Sequence, residues 1–476
     1  MSTLPTIYLI SEWIIRLIML VVVLARKRAP AALSWLAIIF FLPWAGLFIY
    51  LLIGERRLGR RRTARHAQAM QSIDRLTRLA TQRAAAVPAR VRPDRRDIVR
   101  LAQALSDMPV CGGNVCDFIE HDEEFVRLLI ADIDGATVSV HLLFYIFADD
   151  ETGRAVSDAI LRAKARGVEC RLLADAVGSS SLFKHGLAAN LRRAGVEVHS
   201  VLPVSPLRRT LHRIDLRNHR KLAVIDGAIA WTGSQNIVNP DYGGSKAGPW
   251  HDLMIRLRGP VVLQLEIVFL EDWYFTTGRL HDGDLTSRDP ESVGGLAAQA
   301  VPSGPTFDSD VFLDFMVGVI HDAEERIIIT SPYFVPDPSI EMGLRVAAMR
   351  GVQVDLVLPK SSNHPVLCAA ARSHFAGLLR SGIRIHQHTR GLLHAKTVSI
   401  DDDLAVIGSG NFDMRSFYLN FELNIVLYGA RSGGMLRAVQ EQYIAQCEPL
   451  DPEVLAKRTR FQRMIDNAAG LLSPLL

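Results

Sequence analysis

His219-Arg-Lys221-Leu-Ala-Val-Ile-Asp226 and His394-Ala-Lys396-Thr-Val-Ser-Ile-Asp401 are one pattern written twice. Each copy is followed by the same tail, Gly233-Ser234-Gln-Asn236 in the first case and Gly408-Ser409-Gly-Asn411 in the second. In both copies the asparagine falls seventeen residues after the histidine. Lysine is scarce in this chain, with eight against forty-six arginines, so its return at both motif positions is a chemical choice rather than drift. Each motif opens an apolar run that reads as a strand, and residues i and i+2 of a strand share a face. His219 therefore projects with Lys221, and His394 with Lys396. A second short strand follows each motif, and the glycine turn after it brings a serine hydroxyl and an asparagine amide beside the lysine.

Those residue types suit phosphoryl transfer. Lys221, Lys396, Asn236, Asn411, Ser234 and Ser409 are expected to donate to phosphate oxygens, concentrating positive potential where charge develops. Imidazole is a good nucleophile toward phosphorus and titrates near neutrality, so one histidine can attack while the other moves protons. An attacking histidine needs a group behind its other nitrogen, and Asp252 and Glu422, downstream of the two motifs, are the candidates. Asp226 and Asp401 complete the catalytic set, with a role as buried hydrogen-bond anchors left open.

The rest of the chain repeats with the motif. A helix near Glu124–Ile133, a strand from Thr137, a helix over Gly153–Arg166 and a strand to Asp175 form one round. Phe312–Glu325, Arg326–Phe334, Ile340–Arg350 and Gly351–Pro359 form the next, with a period near 180 residues. Tyr145 and Tyr333 correspond across the rounds. Alternating strands and helices predict an α/β fold with mostly parallel mixed sheets, as two similar halves packed side by side. The expected division is 1–55 membrane hairpin, 56–100 basic linker with an exposed helix over Ser72–Ala86, 101–290 first half and 291–476 second half.

Two apolar runs, Ile7–Ala25 and Ala31–Ile53, predict a transmembrane helical hairpin. The second carries no charge over twenty-three residues, enough for a bilayer core of about 30 Å. Glu12 and Arg16 interrupt the first at i and i+4, a spacing that allows them to pair. Pro43 is tolerable where a neighbouring helix satisfies the carbonyl it frees. Three basic residues (Arg26, Lys27, Arg28) follow the first run, and six arginines (56, 57, 60, 61, 62, 65) follow the second. The heavier cluster faces the cytoplasm under the positive-inside rule, putting both the N-terminus and the catalytic part there, beside anionic lipid.

Composition narrows the partners. A net charge of +4, with basicity crowded beside the apolar runs, gives no basic groove for nucleic acid. Five scattered cysteines without a CxxC indicate reduced thiols. Cys111 and Cys116 lie near His121 but lack a second ligand pair, so no metal and no cofactor are expected.

The duplicated motif with its G-S-x-N tails resembles the phospholipase D superfamily, and within it the bacterial cardiolipin synthases. The resemblance runs through the apolar N-terminus, Asp215-Leu-Arg-Asn-His219, Trp250-His-Asp252, Ser331-Pro-Tyr333-Phe-Val-Pro-Asp337, Asn411-Phe-Asp-Met-Arg415 and Asn420-Phe-Glu422. It departs at Ala395, where a hydroxyl residue is expected. The resemblance implies phosphatidyl transfer from one phosphatidylglycerol to another, giving cardiolipin and glycerol through a phosphohistidine, in the bacterial inner membrane. His219 and His394 become nucleophile and acid/base, in that order of preference. The alternative is a hydrolytic phospholipase D-type phosphodiesterase, which differs in whether water or a lipid alcohol reaches the phosphohistidine.

Overall fold

The computed structural model describes residues 3–26, 29–54, 82–203, 215–242, 248–280, 291–362 and 364–471. The arginine cluster at 56–65 and most of the expected Ser72–Ala86 helix lie outside them.

Three helices form the N-terminal region: α1 (Thr3–Arg26), α2 (Ala29–Phe41) and α3 (Pro43–Ile53). Only α1 is long and apolar enough to cross a bilayer among the described residues. The second apolar run departs from the expected single span, because the chain reverses at Leu42–Pro43. Proline lacks the N–H that would continue the ladder, and Leu42 leaves helical geometry with φ −133° and ψ 72°. Trp35 then meets Tyr50 edge to face at 5.1 Å, although a continuous helix would hold them more than 20 Å apart. Gly46 permits the reversal: a Cβ there would stand 2.8 Å from the Ile39 Cα. The α2 helix, 13 residues long, and α3, with 11, each reach only about 15–20 Å, short of a bilayer core. Arg16 pairs with Glu12 at 3.3 Å as the spacing implied, and its Nε donates to the Phe40 carbonyl at 3.1 Å, at the tip of the reversal.

The catalytic body is built on strands β1 (Cys111–Ile119), β2 (Ser139–Phe144), β3 (Glu169–Asp175), β4 (Glu197–Val201), β5 (Lys221–Ile225), β6 (Ile229–Gly233), β7 (Trp250–His251) and β8 (Met254–Arg258). It continues with β9 (Leu296–Ser303), β10 (Arg326–Thr330), β11 (Gln353–Pro359), β12 (Arg384–His388), β13 (Leu392–Leu393), β14 (Thr397–Ile400), β15 (Leu404–Gly408), β16 (Glu422–Tyr428) and β17 (Cys447–Pro449). Fifteen of these join edge to edge in the order 17-12-11-10-14-15-16-9-1-8-6-5-2-3-4, so the expected pair of sheets is one continuous sheet. The expected parallel majority is also corrected. Within that sheet the parallel pairs are those of the helix-connected strands β2-β3-β4 and β10-β11-β12. Tight turns after the motif strands make antiparallel hairpins, β5 with β6 and β14 with β15, and these dominate the middle of the sheet. The join between β1 and β9 is antiparallel.

Helix Val261–Thr277 is buried along nearly its whole length and packs on the sheet beneath the site. Helix Arg96–Ser106 crosses the expected boundary at residue 100. Its Ile98 and Ala102 pack with Phe312, Phe315 and Ile327, so this segment belongs with the later strands rather than with a free linker.

Candidate active site

The motif histidines precede two neighbouring structural positions. His219 lies just before β5, with its backbone N–H donating to the Phe421 carbonyl at 2.9 Å. His394 follows β13, which pairs in parallel with β7, and its N–H donates to the His251 carbonyl at 2.8 Å. Each motif therefore docks on the segment that follows the other motif.

The side chains repeat that exchange. His219 Nδ1 meets Glu422 Oε2 at 3.1 Å, and His394 Nδ1 meets Asp252 Oδ1 at 2.7 Å. The carboxylate behind each imidazole comes from beyond the opposite motif. Both pairs are largely withdrawn from solvent, with side-chain exposures of 11% and 0% for the first and 5% and 4% for the second. Tyr145 stands edge-on to His219 with ring centres 4.9 Å apart, and Trp250 lies 4.5 Å from the His394 ring. Neither aromatic received a site role from sequence, although Tyr145 was visible as a repeated position and Trp250 as the neighbour of Asp252.

The two lysines are buried, and each Nζ donates to the carbonyl of its own motif histidine, His219 at 2.5 Å in the first case and His394 in the second. Burial lowers their pKa values, to about 8 for Lys221 and about 7 for Lys396, against the pull of Asp252 and Glu422. Burial also lowers both imidazoles; His394 falls to about 4, although Asp252 opposes the shift. Burial alone would raise Glu422 and Asp252. The charges and hydrogen bonds of His219 and Lys221, and of His394 and Lys396, hold the two carboxyls below their ordinary range. His219 also feels the charge of Lys396, and His394 that of Lys221, so the two motifs form one electrostatic cluster.

The two serines lie against the carboxylates. Ser234 Oγ donates to Asp252 at 2.5 Å and Ser409 Oγ to Glu422 at 2.6 Å. Ser416 Oγ adds a bond to the second Glu422 oxygen at 2.8 Å. Asn236 Oδ1 accepts from the Ile146 N–H at 3.0 Å, which turns its NH₂ end away from that backbone. Asn411 Oδ1 is buried with no hydrogen-bond partner.

Asp226 and Asp401 take up the anchoring arrangement that their sequence reading had left open. Asp226 has φ 53° and accepts from the N–H groups of Thr137, Val138 and Ser139 at 2.8–2.9 Å. Asp401, with φ 48°, accepts from the N–H groups of Glu325 and Arg326 at 2.7 and 2.9 Å, and from Arg95 Nη2 at 2.5 Å. Each pins a motif hairpin to the start of its neighbouring strand.

Arg220, between the first histidine and lysine, points to the opposite face of the strand. There it reaches Asp272 at 2.8 Å and the carbonyls of Glu422 and Ser303 at 3.1 Å. The matching position, Ala395, is fully buried, so the departure noted in sequence falls on the packed side and not on the reacting side.

A mixed sheet carrying two carboxylate-backed imidazoles beside two buried ammoniums defines a protein of the phospholipase D class. Residues 129–272 and 316–446 match the family described as cardiolipin synthase, PLD-like domain, and residues 14–55 match a phospholipase D-nuclease N-terminal family. The chain is 34% identical over 484 residues to cardiolipin synthase A of Klebsiella pneumoniae, covering 99% of this chain and 100% of the relative. It is 33% identical over 491 residues to cardiolipin synthase A of Citrobacter koseri, with the same coverage. The crystal structure of phosphatidylserine synthase from Haemophilus influenzae shares the fold, with a TM-score of 0.60 at 14% identity over 80% of this chain and all of that one. The chain belongs to the cardiolipin synthase family.

Proposed function

We propose that this chain is a phosphatidyltransferase that joins two phosphatidylglycerol molecules into cardiolipin and releases glycerol. The exchanged carboxylates carry the reading: each imidazole is oriented by an acid from the other motif, which suits a single site assembled from two related halves. The sheet order supports that duplication, since β1-β8-β6-β5-β2-β3-β4 and β9-β16-β15-β14-β10-β11-β12 run outward from the central join in matching order.

In the proposed path, the anionic phosphodiester favours the protonated form of His394; His219 Nε2 attacks phosphorus, and the bond to the glycerol headgroup breaks as the His394 imidazolium gives its proton to the leaving oxygen. Glu422, on the far nitrogen, steadies the imidazolium that forms. The neutral His394 then takes a proton from the terminal hydroxyl of a second phosphatidylglycerol, whose oxygen displaces His219 from phosphorus. Lys221, Lys396, Asn236 and Asn411 hold the non-bridging oxygens. Burial keeps water from the phosphohistidine, which favours a lipid alcohol as acceptor over hydrolysis. Incubation with labelled phosphatidylglycerol tests the proposal: glycerol and a four-chain lipid are expected, and phosphatidic acid as the main product would overturn it.

The work is set at the cytoplasmic face of the bacterial inner membrane. In this reading α1 crosses, while α2 and α3 enter and leave on the catalytic side. Arg16, midway along α1, holds the reversal at Phe40, which puts the tip near the middle of the bilayer. Both basic clusters then fall on one side, which satisfies the positive-inside rule more fully than two spans would.

A further inference from the structure

The Arg460–Leu471 helix presents an unusual surface. Phe461, Met464, Ile465 and Leu471 are 65%, 59%, 47% and 75% exposed, and with Ala468 they follow the i, i+3, i+4, i+7 spacing of one helical face. The opposite face is tied down. Asp466 takes two bonds from Arg372, at 3.1 and 3.0 Å, and an ion pair from Arg458 at 2.9 Å. Ala469 packs with Val335, Ala369 and Ala370, and Gly470 lies against Ser373. The helix is thus locked onto helix Pro365–Arg380 with its apolar side turned outward.

What covers that side is indicated by its neighbour. The Leu471 carbonyl accepts from the Ser34 hydroxyl at 3.3 Å, so the end of this helix touches the outer part of α2. The apolar face thus ends beside the N-terminal helices, whose own apolar side chains are exposed as lipid-facing ones are. Exposed Arg460 and Arg463 flank it, suited to anionic headgroups. We propose that the Arg460–Leu471 helix lies in the plane of the membrane interface, a second lipid contact that fixes the catalytic body against an anionic lipid surface. Its apolar residues enter the acyl boundary at the level where α2 meets the headgroups. The body is then held at two points and cannot swing about the N-terminal tether.

The full chain in vesicles doped with diazirine-bearing phosphatidylglycerol provides the test. Irradiation followed by mass spectrometry should place lipid adducts on Phe461, Met464, Ile465 or Leu471. Absence of lipid adducts on this helix, or crosslinks from it to a second copy of the chain, would overturn the proposal. This readout needs no turnover, so its failure is distinct from failure of the proposed reaction. In parallel, the exposed triple substitution Phe461→Ser, Met464→Ser and Ile465→Ser should lower activity on vesicles at least fivefold while activity on monomeric short-chain phosphatidylglycerol stays unchanged. Equal vesicle activity would contradict the inference.

Discussion

Asp252 and Glu422 do the least visible work in the site, because neither is placed to touch substrate. A carboxylate behind an imidazole fixes its tautomer and stabilises the cation that forms on attack. Asp252→Asn and Glu422→Gln are each expected to lower kcat by roughly 10²–10⁴-fold with little change in KM, read from steady-state kinetics on vesicles. Loss below tenfold in both would remove them from the mechanism. The lysines set a pH limit. In the proposed path their charged forms bind the phosphodiester, and their pKa values near 7 and 8 mean that raising the pH discharges them. Accordingly kcat/KM, which reports the free enzyme, should fall above about pH 7, and Lys396→Arg, which stays charged, should shift that limb upward. A rate flat to pH 10 would contradict this. At this scale the sequence carried the histidines, lysines and acids, because their spacing is chemical. It did not show that the Ser234 and Ser409 hydroxyls turn to carboxylates brought close only by folding. Arg220 passed unnoticed because strand alternation sends it to the far face, where its partners lie more than fifty residues away.

The motif hairpins depend on their turn aspartates. Asp226 and Asp401 sit in the left-handed region, where aspartate is tolerated better than alanine, and each carboxylate satisfies several backbone N–H groups. Asp226→Ala is expected to cost about 2–3 kcal/mol by denaturant unfolding, with kcat of the folded fraction within threefold. A large kcat loss without destabilisation would restore Asp226 to the chemistry. Helix and strand positions in the catalytic body were legible to within a few residues, for example Phe312–Glu325 against Val311–Asp322. Pairing direction was not. The βα alternation was read as mostly parallel, whereas the hairpins closed by Asp226 and Asp401 make the sheet's middle antiparallel. Pro43 was read as a tolerated kink; with Gly46 four residues into the next helix, the chain has room to fold back completely.

Taken whole, the molecule is a sheet with its reacting groups near the central join and its apolar helices at one side. Continuity across β1 and β9 makes the sheet one body, so the two imidazoles keep their geometry without a flexible interface. The duplication was plain in the sequence, but the exchange of carboxylates was not, since no local spacing reveals which acid crosses to which ring. The membrane arrangement yields its own expectation. A tag fused ahead of α1 should be removed by protease added to intact spheroplasts, whereas one beside the arginine cluster at 56–65 should be protected. Protection of both would return the N-terminal region to two full spans.

Trapping the covalent adduct tests the shared site most directly. The His394→Ala variant is mixed with a phosphatidyl ester of a good leaving alcohol, such as p-nitrophenol, which needs no proton to depart. The expected result is a stoichiometric burst of nitrophenol and a phosphatidyl group on His219 by mass spectrometry, absent when His219→Ala is added. No adduct, or one on another residue with turnover retained, would contradict the account.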